Sequence, residues 1–212
     1  KKLLKEHFYQ TIVFTLAADY DLLIRKDESS SFKKSKASIS KKPKVQHNKV
    51  KDKLIKTKDN IYLQELGVIN ASGNILADKQ KKFKQINKYI EIIDNILRPI
   101  DFKGDFTVVD MGAGKGYLTF ALYDYLQNIS NKNPHIIGVE LRKELVEKCN
   151  IISDKASFEK LSFVEGSIKK AEIEKIDVLI ALHACDTATD DAIYRGIKAN
   201  SKVIICAPCC HK

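Results

Sequence analysis

The chain contains no apolar run of about 18 residues, the length that a membrane-spanning helix needs. Its first residues, Lys1 to His7, also lack the apolar core of a signal peptide. The sequence therefore indicates no transmembrane helix. Because it begins with lysine rather than methionine and stops just after an apolar run, we expect a fragment of a longer protein. Its 212 residues suffice for one full domain and an appendage.

Cysteine is scarce and unevenly distributed. The five cysteines are an odd number, and three of them fall within the last seven residues. A secreted protein held by disulfides would spread its cysteines along the chain. We therefore expect a reducing, cytoplasmic setting, in which the thiols serve as packing groups, metal ligands or reactive groups.

Arginine is scarce as well, with four residues among 37 basic ones, which is typical of an AT-rich genome that inflates lysine everywhere. The positive charge nevertheless follows the regions of the chain. Residues 1–100 carry 22 basic and 11 acidic residues, a net +11, whereas residues 101–212 carry 15 and 16, a net −1. The densest stretch, Lys33 to Lys58, has eleven lysines and one acid. We predict that this region contacts the phosphates of RNA, with codon bias as the alternative.

Three regions differ in their patterns. Residues 1–58 form a basic amino-terminal α+β region, with short strands predicted at 11–16 and 21–25 and a mobile Lys-rich segment from Lys26 onward. Residues 59–101 form a helical connector, with a short helix at 61–66 and an amphipathic helix from about Asp78 until Pro99 stops it.

Residues 102–212 alternate between short apolar strands and helices. Strands are predicted at 106–110, 135–140, 161–165, 176–182 and 202–207, and helices at 117–129, 143–154 and 189–198. This alternation is typical of an α/β domain with a buried parallel sheet.

A glycine-rich turn follows the first of these strands, in the order Asp110, Gly112, Gly114 and Gly116, and a helix follows the turn. Glycines let the backbone turn tightly and approach a ligand, and the helix amino terminus presents unpaired N–H groups. The strand, turn and helix together therefore predict a nucleotide site.

Two carboxylates favour one class of cofactor. Asp110 at the tip of the first strand would repel a pyrophosphate but can pair with an ammonium group. Glu140 at the tip of the second strand can accept hydrogen bonds from both ribose hydroxyls. S-adenosylmethionine has an ammonium, a sulfonium and no phosphate, so the sequence favours it over NAD.

At these residues the chain resembles the class I S-adenosylmethionine-dependent methyltransferases. Val108 to Tyr117 is similar to their first motif, and Glu140 is similar to their second. The resemblance implies a Rossmann-like, doubly wound sheet whose carboxyl-terminal strands are missing from this fragment. It also implies cofactor contacts from Tyr117, and from Ser167 and Ile168 on either side of the adenine, although the family usually has an acid where Ser167 stands.

The end of the chain resembles a narrower group. Residues 181–190 and 207–212 are similar to a methyltransferase-domain family that includes proteins named for a ribosomal RNA adenine dimethylase domain and for a glutathione S-transferase C-terminal domain. Bacterial relatives share the Gln85–Glu91 stretch. This resemblance implies methyl transfer without fixing a substrate.

The acceptor side is predicted at the carboxyl edge of the sheet. His183 and Asp186 follow the fourth strand, and Cys209 and Cys210 follow the fifth, so these groups should converge near the methyl group. His183 would also contact the cofactor, and His183 or Asp186 would serve as general base. The chain lacks the Asn/Asp-Pro-Pro-aromatic signature of amino-group methylation on bases, which weakens an adenine-N6 interpretation.

The cysteines leave three alternatives open. Cys209 could be a nucleophile, since Pro208-Cys209 is similar to the Pro-Cys step of 5-methylcytosine enzymes, or the thiols could bind a soft metal. We favour a third alternative, in which they line the pocket and no metal is bound. The leading function is an RNA methyltransferase, with a protein or small-molecule methyltransferase or a non-catalytic RNA-binding module as rivals.

Overall fold

The computed structural model describes residues 7–41, 53–169, 171–182 and 187–207. The chain divides into two compact units, Lys1–Lys51 and Asp52–Lys212. Within the described residues, no helix combines the length and apolar character needed to cross a membrane.

The first unit contains an antiparallel sheet of three strands, β1 (Gln10–Phe14), β2 (Ala18–Ile24) and β3 (Ser30–Lys36), with β2 in the centre. The two predicted strands are confirmed. The prediction of a mobile segment from Lys26 onward is wrong for residues 30–36, because every residue of β3 pairs with a residue of β2. A tight turn makes this pairing possible, since the Asp27 carboxylate accepts hydrogen bonds from the N–H and the hydroxyl of Ser29.

The second unit is built on a parallel sheet of five strands in the order β6-β5-β4-β7-β8. The strands are β4 (Phe106–Met111), β5 (Pro134–Glu140), β6 (Leu161–Glu165), β7 (Val178–Ala181) and β8 (Val203–Cys206). All five predicted strands are confirmed within two residues at each end.

Within the described residues, five helices accompany this sheet, and the predicted ones are confirmed. They are α1 (Ile61–Glu65), α2 (Gln80–Leu97), α3 (Tyr117–Asp124), α4 (Lys143–Lys155) and α5 (Thr187–Lys198). A short 3₁₀ turn precedes α2, and a π-helical turn, Tyr125–Ile129, extends α3.

Alternate residues of the strands point to two separate cores. Val108, for example, belongs to the core that α1 to α4 cover, whereas its neighbour Val109 belongs to a second core under α5. Because helices cover both faces, the sheet is doubly wound. The predicted Rossmann-like α/β fold is therefore confirmed.

Helix α2 is more than a connector between regions. Its apolar stripe is fully buried, with Ile86 and Ile90 at 0% exposure. Ile55 is buried against the same core, and its N–H donates to Asn87 Oδ1 on α2 at 3.2 Å. The predicted mobile segment extends to about Lys58. This prediction is also wrong at the end of the segment, because the buried Ile55 anchors the chain there.

Candidate functional site

The glycine turn after β4 bends the backbone through three left-handed residues. Gly112, Gly114 and Gly116 have φ angles of 81°, 59° and 75°, in a backbone region that residues with a side chain rarely adopt. At Gly116 a Cβ would lie 2.8 Å from the Phe120 ring and 3.2 Å from Cys149 Sγ, so this glycine serves helix packing. At Gly112 a Cβ would meet no protein atom within 4 Å, which leaves open space above the turn.

Asp110 lies buried at the end of β4, with an exposure of 5%. Its Oδ2 accepts a hydrogen bond of 2.6 Å from the Thr119 hydroxyl on α3, which fixes the carboxylate against the helix. The Tyr89 hydroxyl of α2 is buried and has no hydrogen-bond partner in the described part of the chain. Burial and the nearby charge of Asp110 raise the pKa of Tyr89 well above its usual range, so this hydroxyl stays a proton donor.

Glu140 lies at the end of β5, the strand beside β4, and its carboxylate reaches back to the glycine turn. Gly114 N–H donates to Oε2 at 2.9 Å, while the backbone N–H and the Nε of Arg142 donate to Oε1 at 3.1 and 2.9 Å. Burial by itself raises the pKa of Glu140, but these hydrogen bonds and the charge of Arg142 outweigh it and hold the pKa below its ordinary value. The carboxylate is therefore ionised at neutral pH.

These groups share one open pocket at the carboxyl edge of the sheet. The pocket brings together five residues predicted from the sequence, namely Asp110, Gly112, Gly114, Tyr117 and Glu140. The remaining lining residues were not predicted, and they are Lys82, Gln85, Ala113, Lys115, Leu118, Arg142 and Leu182.

Two of the unpredicted residues belong to α2, which forms one wall of the pocket. Lys82 Nζ donates to Gln85 Oε1 at 2.9 Å and lies 5.3 Å from the centre of the Tyr117 ring. The Tyr117 hydroxyl donates to the Leu66 carbonyl at 3.3 Å, which ties the ring to the end of α1. The Gln85–Glu91 stretch shared with relatives was the one sequence signal that pointed to this wall.

The pocket fits S-adenosylmethionine better than a dinucleotide. The buried Asp110 carboxylate and the ionised Glu140 carboxylate lie at the ends of adjacent strands. The turn between them has free space over Gly112. An ammonium group and ribose hydroxyls suit these carboxylates, whereas a pyrophosphate would be repelled.

The predicted adenine contacts lie on the loop after β6. This loop begins beside Glu140, since Gly166 N–H donates to the Glu140 carbonyl at 3.0 Å. Ile168 lines a separate groove with Ile173, Tyr194 and other residues, and Arg195 donates to its carbonyl at 3.1 Å. Adenine contacts from Ser167 and Ile168 stay a prediction.

The predicted acceptor residues His183, Asp186, Cys209 and Cys210 lie outside the described residues. The strands that lead to them are neighbours, with Ala181 of β7 paired in register with Cys206 of β8. Leu182, directly before His183, lines the cofactor pocket.

Two cysteines lie within the described residues, and both behave as packing groups. Cys149 is buried, and burial raises the pKa of its thiol to about 11. Partial burial also raises the pKa of the Cys206 thiol. Since the thiolate is the reactive form, neither position favours nucleophilic chemistry.

Comparisons with known proteins identify the family of the chain. The family model described as a methyltransferase domain matches residues 81–212. A glutathione S-transferase C-terminal domain-containing protein of Xenopus laevis is 28% identical over 147 residues, 66% of this chain and 21% of that protein. A mitochondrial ribosomal RNA small subunit methyltransferase of Arabidopsis thaliana is 31% identical over 91 residues, 42% of this chain and 22% of that protein.

Among solved structures, the YcgJ protein of Bacillus subtilis is similar over 54% of this chain and 46% of its own, with 18% identity and a TM-score of 0.40. The chain spans about a fifth of the length of the curated relatives it matches. The methyltransferase resemblance seen in the sequence is confirmed by the family match.

Proposed function

We propose, from the premise that the chain belongs to the methyltransferase domain family, that the protein methylates RNA with S-adenosylmethionine as the methyl donor. The observation that carries the RNA acceptor is the charge distribution, +11 over residues 1–100 against −1 over residues 101–212. Divided by compact unit, residues 1–51 carry 13 basic and 5 acidic residues, a net +8, and residues 52–212 carry 24 and 22, a net +2. A polyanionic substrate suits a basic unit joined to a nearly neutral catalytic unit. One relative named as a ribosomal RNA methyltransferase supports the same class of acceptor.

Residues at two adjacent strand tips hold the cofactor in this proposal. S-adenosylmethionine supplies, when bound, a methyl group on a positively charged sulfur. The Asp110 carboxylate, fixed by Thr119, pairs with the ammonium group, and the buried Tyr89 hydroxyl keeps its proton as a further donor nearby. The Glu140 carboxylate, fixed by Arg142 and Gly114, accepts the ribose hydroxyls.

The acceptor would enter beside Leu182, where β7 and β8 end next to each other. An RNA nitrogen or hydroxyl that gains a methyl group must lose a proton, and we assign this proton to His183 or Asp186. Cys209 and Cys210 would line the entrance without a covalent intermediate, because small thiols leave room for a flat base.

Incorporation of a labelled methyl group tests the proposal. The full-length protein is incubated with radiolabelled S-adenosylmethionine and total cellular RNA, and in parallel with total protein or a small-molecule extract. We expect label in RNA, less label with the Glu140→Ala variant at limiting S-adenosylmethionine, and no label with the Gly114→Val variant. Label found only in protein or in small molecules would contradict the RNA acceptor. Binding of S-adenosylmethionine and RNA without any incorporation of label would favour a non-catalytic module.

Mass spectrometry then identifies the product. Nucleosides from a strain that lacks the protein should be missing one methylated species that the parent strain contains. Single Cys209→Ala and Cys210→Ala variants should keep most of the activity. Complete loss of activity, with an adduct trapped on 5-fluoropyrimidine RNA in the wild type, would instead assign a nucleophile, and stoichiometric zinc lost on substitution would assign a metal site.

A further inference from the structure

The three-stranded sheet of the first unit has two faces of different chemistry, and the strand register assigns each residue to one of them. One row of paired residues is Thr11, Leu22 and Phe32, and the next is Val13, Tyr20 and Lys34. Side chains of paired residues point to the same side, so these rows share a face. We call it the aromatic face, and it also carries Ala18, Ile24, Ser30 and Lys36.

The aromatic face carries flat rings and is most exposed along the two edge strands, β1 and β3. Phe32 is 66% exposed and Val13 is 50% exposed. The Phe32 and Tyr20 rings stack with centroids 5.8 Å apart and an interplanar angle of 22°, so Tyr20 supports the more exposed Phe32 ring from one side. An exposed phenylalanine held flat against a second ring is an apolar surface that favours a partner.

Charge divides the two faces. Among the described strand residues, the aromatic face holds Lys34 and Lys36 and no carboxylate, whereas the opposite face holds Asp19, Asp21 and Lys33. Lys34 Nζ lies 5.9 Å from the centre of the Tyr20 ring, so a positive charge borders the stacked rings directly. On the opposite face, Gln10 donates to the Asp21 carboxylate at 3.0 and 3.1 Å.

Rings bordered by lysines match the chemistry of unpaired nucleotides. Every base has a π-face that can stack on an aromatic side chain, while the attached phosphates pair with cations. Bases inside a duplex are already stacked on each other, so a duplex cannot use such a surface. The described strand residues of this face include two lysines and no acid, so the face favours a negatively charged partner.

We propose that the aromatic face of β1–β3 binds single-stranded RNA, with a base stacked on the exposed Phe32 ring, which Tyr20 supports, and phosphates held by Lys34 and Lys36. This inference rests on the proposed function and names the part of the chain that recognises its substrate. In this proposal, base stacking adds to the electrostatic attraction of the lysines. Phosphate contacts weaken as the salt concentration rises, whereas stacking does not depend on salt in this way.

Binding of labelled RNA to the full-length protein tests the proposal. Fluorescence anisotropy measures the affinity for a short single-stranded RNA of mixed sequence and for the same RNA paired with its complement. We expect Phe32→Leu to weaken single-strand binding by about 5- to 150-fold, the range that loss of one stacked base gives. Phe32→Tyr keeps a flat ring and should bind like the wild type.

Phe14 provides the matched control. It is 55% exposed on the opposite face of the same sheet, so Phe14→Leu removes an exposed ring without touching the aromatic face. Its affinity should equal that of the wild type. Circular dichroism and thermal unfolding verify that the three variants are folded alike.

Several outcomes would overturn the inference. Equal weakening by Phe14→Leu and Phe32→Leu, or unchanged affinity in both, would remove the aromatic face from RNA binding. A wild-type dimer that Phe32→Leu converts to monomer, with unchanged RNA affinity, would assign this face to a second copy of the chain. Equal wild-type affinity for single-stranded and paired RNA, unchanged by Phe32→Leu, would leave charge as the only contribution.

Methyl incorporation separates this inference from the proposed function. If RNA is methylated but Phe32→Leu binds normally, only the aromatic-face assignment fails. If Phe32→Leu loses single-strand binding but RNA receives no methyl group, only the proposed acceptor fails.

Discussion

At the scale of single residues, Glu140 is the side chain on which cofactor affinity should depend most. Glu140→Ala removes an ionised acceptor that the protein holds in place with three hydrogen bonds. We expect affinity for S-adenosylmethionine to fall by about 1.5–3 kcal/mol, the value of a charged hydrogen bond. Isothermal titration calorimetry measures this, with exposed Glu147→Ala on α4 as the control that should bind normally.

Arg142 should control how cofactor affinity depends on pH. Its guanidinium helps to hold the pKa of Glu140 below its ordinary value, against the effect of burial. A carboxylate with a lowered pKa stays charged until the pH falls through that pKa. In Arg142→Ala the pKa of Glu140 rises, so affinity should be lost at a higher pH than in the wild type.

The dissociation constant for S-adenosylmethionine is measured across the acidic pH range for the wild type and for Arg142→Ala. Circular dichroism verifies that both proteins stay folded over this range. Near neutral pH both proteins should bind, because Glu140 is ionised in both. Coinciding pH profiles would show that Arg142 does not set the ionisation of Glu140.

Gly114 should be irreplaceable for cofactor binding for two reasons. Its φ angle of 59° strains any side chain, and a Cβ there would point between Glu140 Oε2 and Arg142 Nη2, each 4.0 Å away. Gly114→Val should therefore abolish detectable binding in calorimetry. Gly104→Val is the control for strain alone, because Gly104 also has a positive φ, 82°, and open space around it.

At the scale of elements, α2 is part of the catalytic unit rather than a detachable connector. Ile90→Ala empties a fully buried position on this helix, and the expected cost is about 2–5 kcal/mol in the free energy of unfolding. Ile92→Ala makes the same change at a position that is 45% exposed on the same helix, and should cost far less. Urea unfolding measures both, and equal costs would mean that α2 is not packed as described.

The sequence predicted the elements of the second unit well because hydrophobic period and glycine or proline stops are local properties. The sequence predicted the buried stripe of α2 but not the surface against which the helix packs. The position of α2 beside the pocket was therefore not predicted, and Lys82 and Gln85 were not identified as lining residues. Strand β3 was missed for a related reason. Its residues, Ser30 to Lys36, have little apolar character, and only their pairing with β2 makes them a strand.

At the site, the sequence predicted residues whose role follows from their place in the chain. Asp110 and Glu140 end neighbouring strands, so a parallel sheet brings them together. Arg142 was missed because its ion pair with Glu140 depends on how the chain turns after β5, which no periodicity encodes.

At the scale of the whole molecule, the lysines of the first unit should give RNA binding a steep dependence on salt. Each phosphate neutralised on a single strand adds about 0.7 to the slope of log K against log salt concentration. Replacing the eight lysines from Lys33 to Lys51 by glutamine should flatten this slope and leave cofactor affinity unchanged. Substitution is preferable to deletion of residues 33–58, because a deletion would remove part of β3 and the buried Ile55.

The control for the lysines is a set of glutamine substitutions at Lys143, Lys148 and Lys155 on the exposed side of α4. These should leave the slope nearly unchanged. If the first-unit variant also keeps the wild-type slope, an AT-rich genome explains the lysines better than RNA does.

The strand order β6-β5-β4-β7-β8 has a consequence for how variants of this protein will behave. The chain leaves β4 toward β5 on one side and reaches β7 on the other, so β4 is a topological switch point. The loops on its two sides diverge, and the crevice between them is produced by the backbone rather than by any side chain that lines it. Loss of a lining residue such as Glu140 therefore leaves the crevice in place, and cofactor affinity can change independently of folding stability.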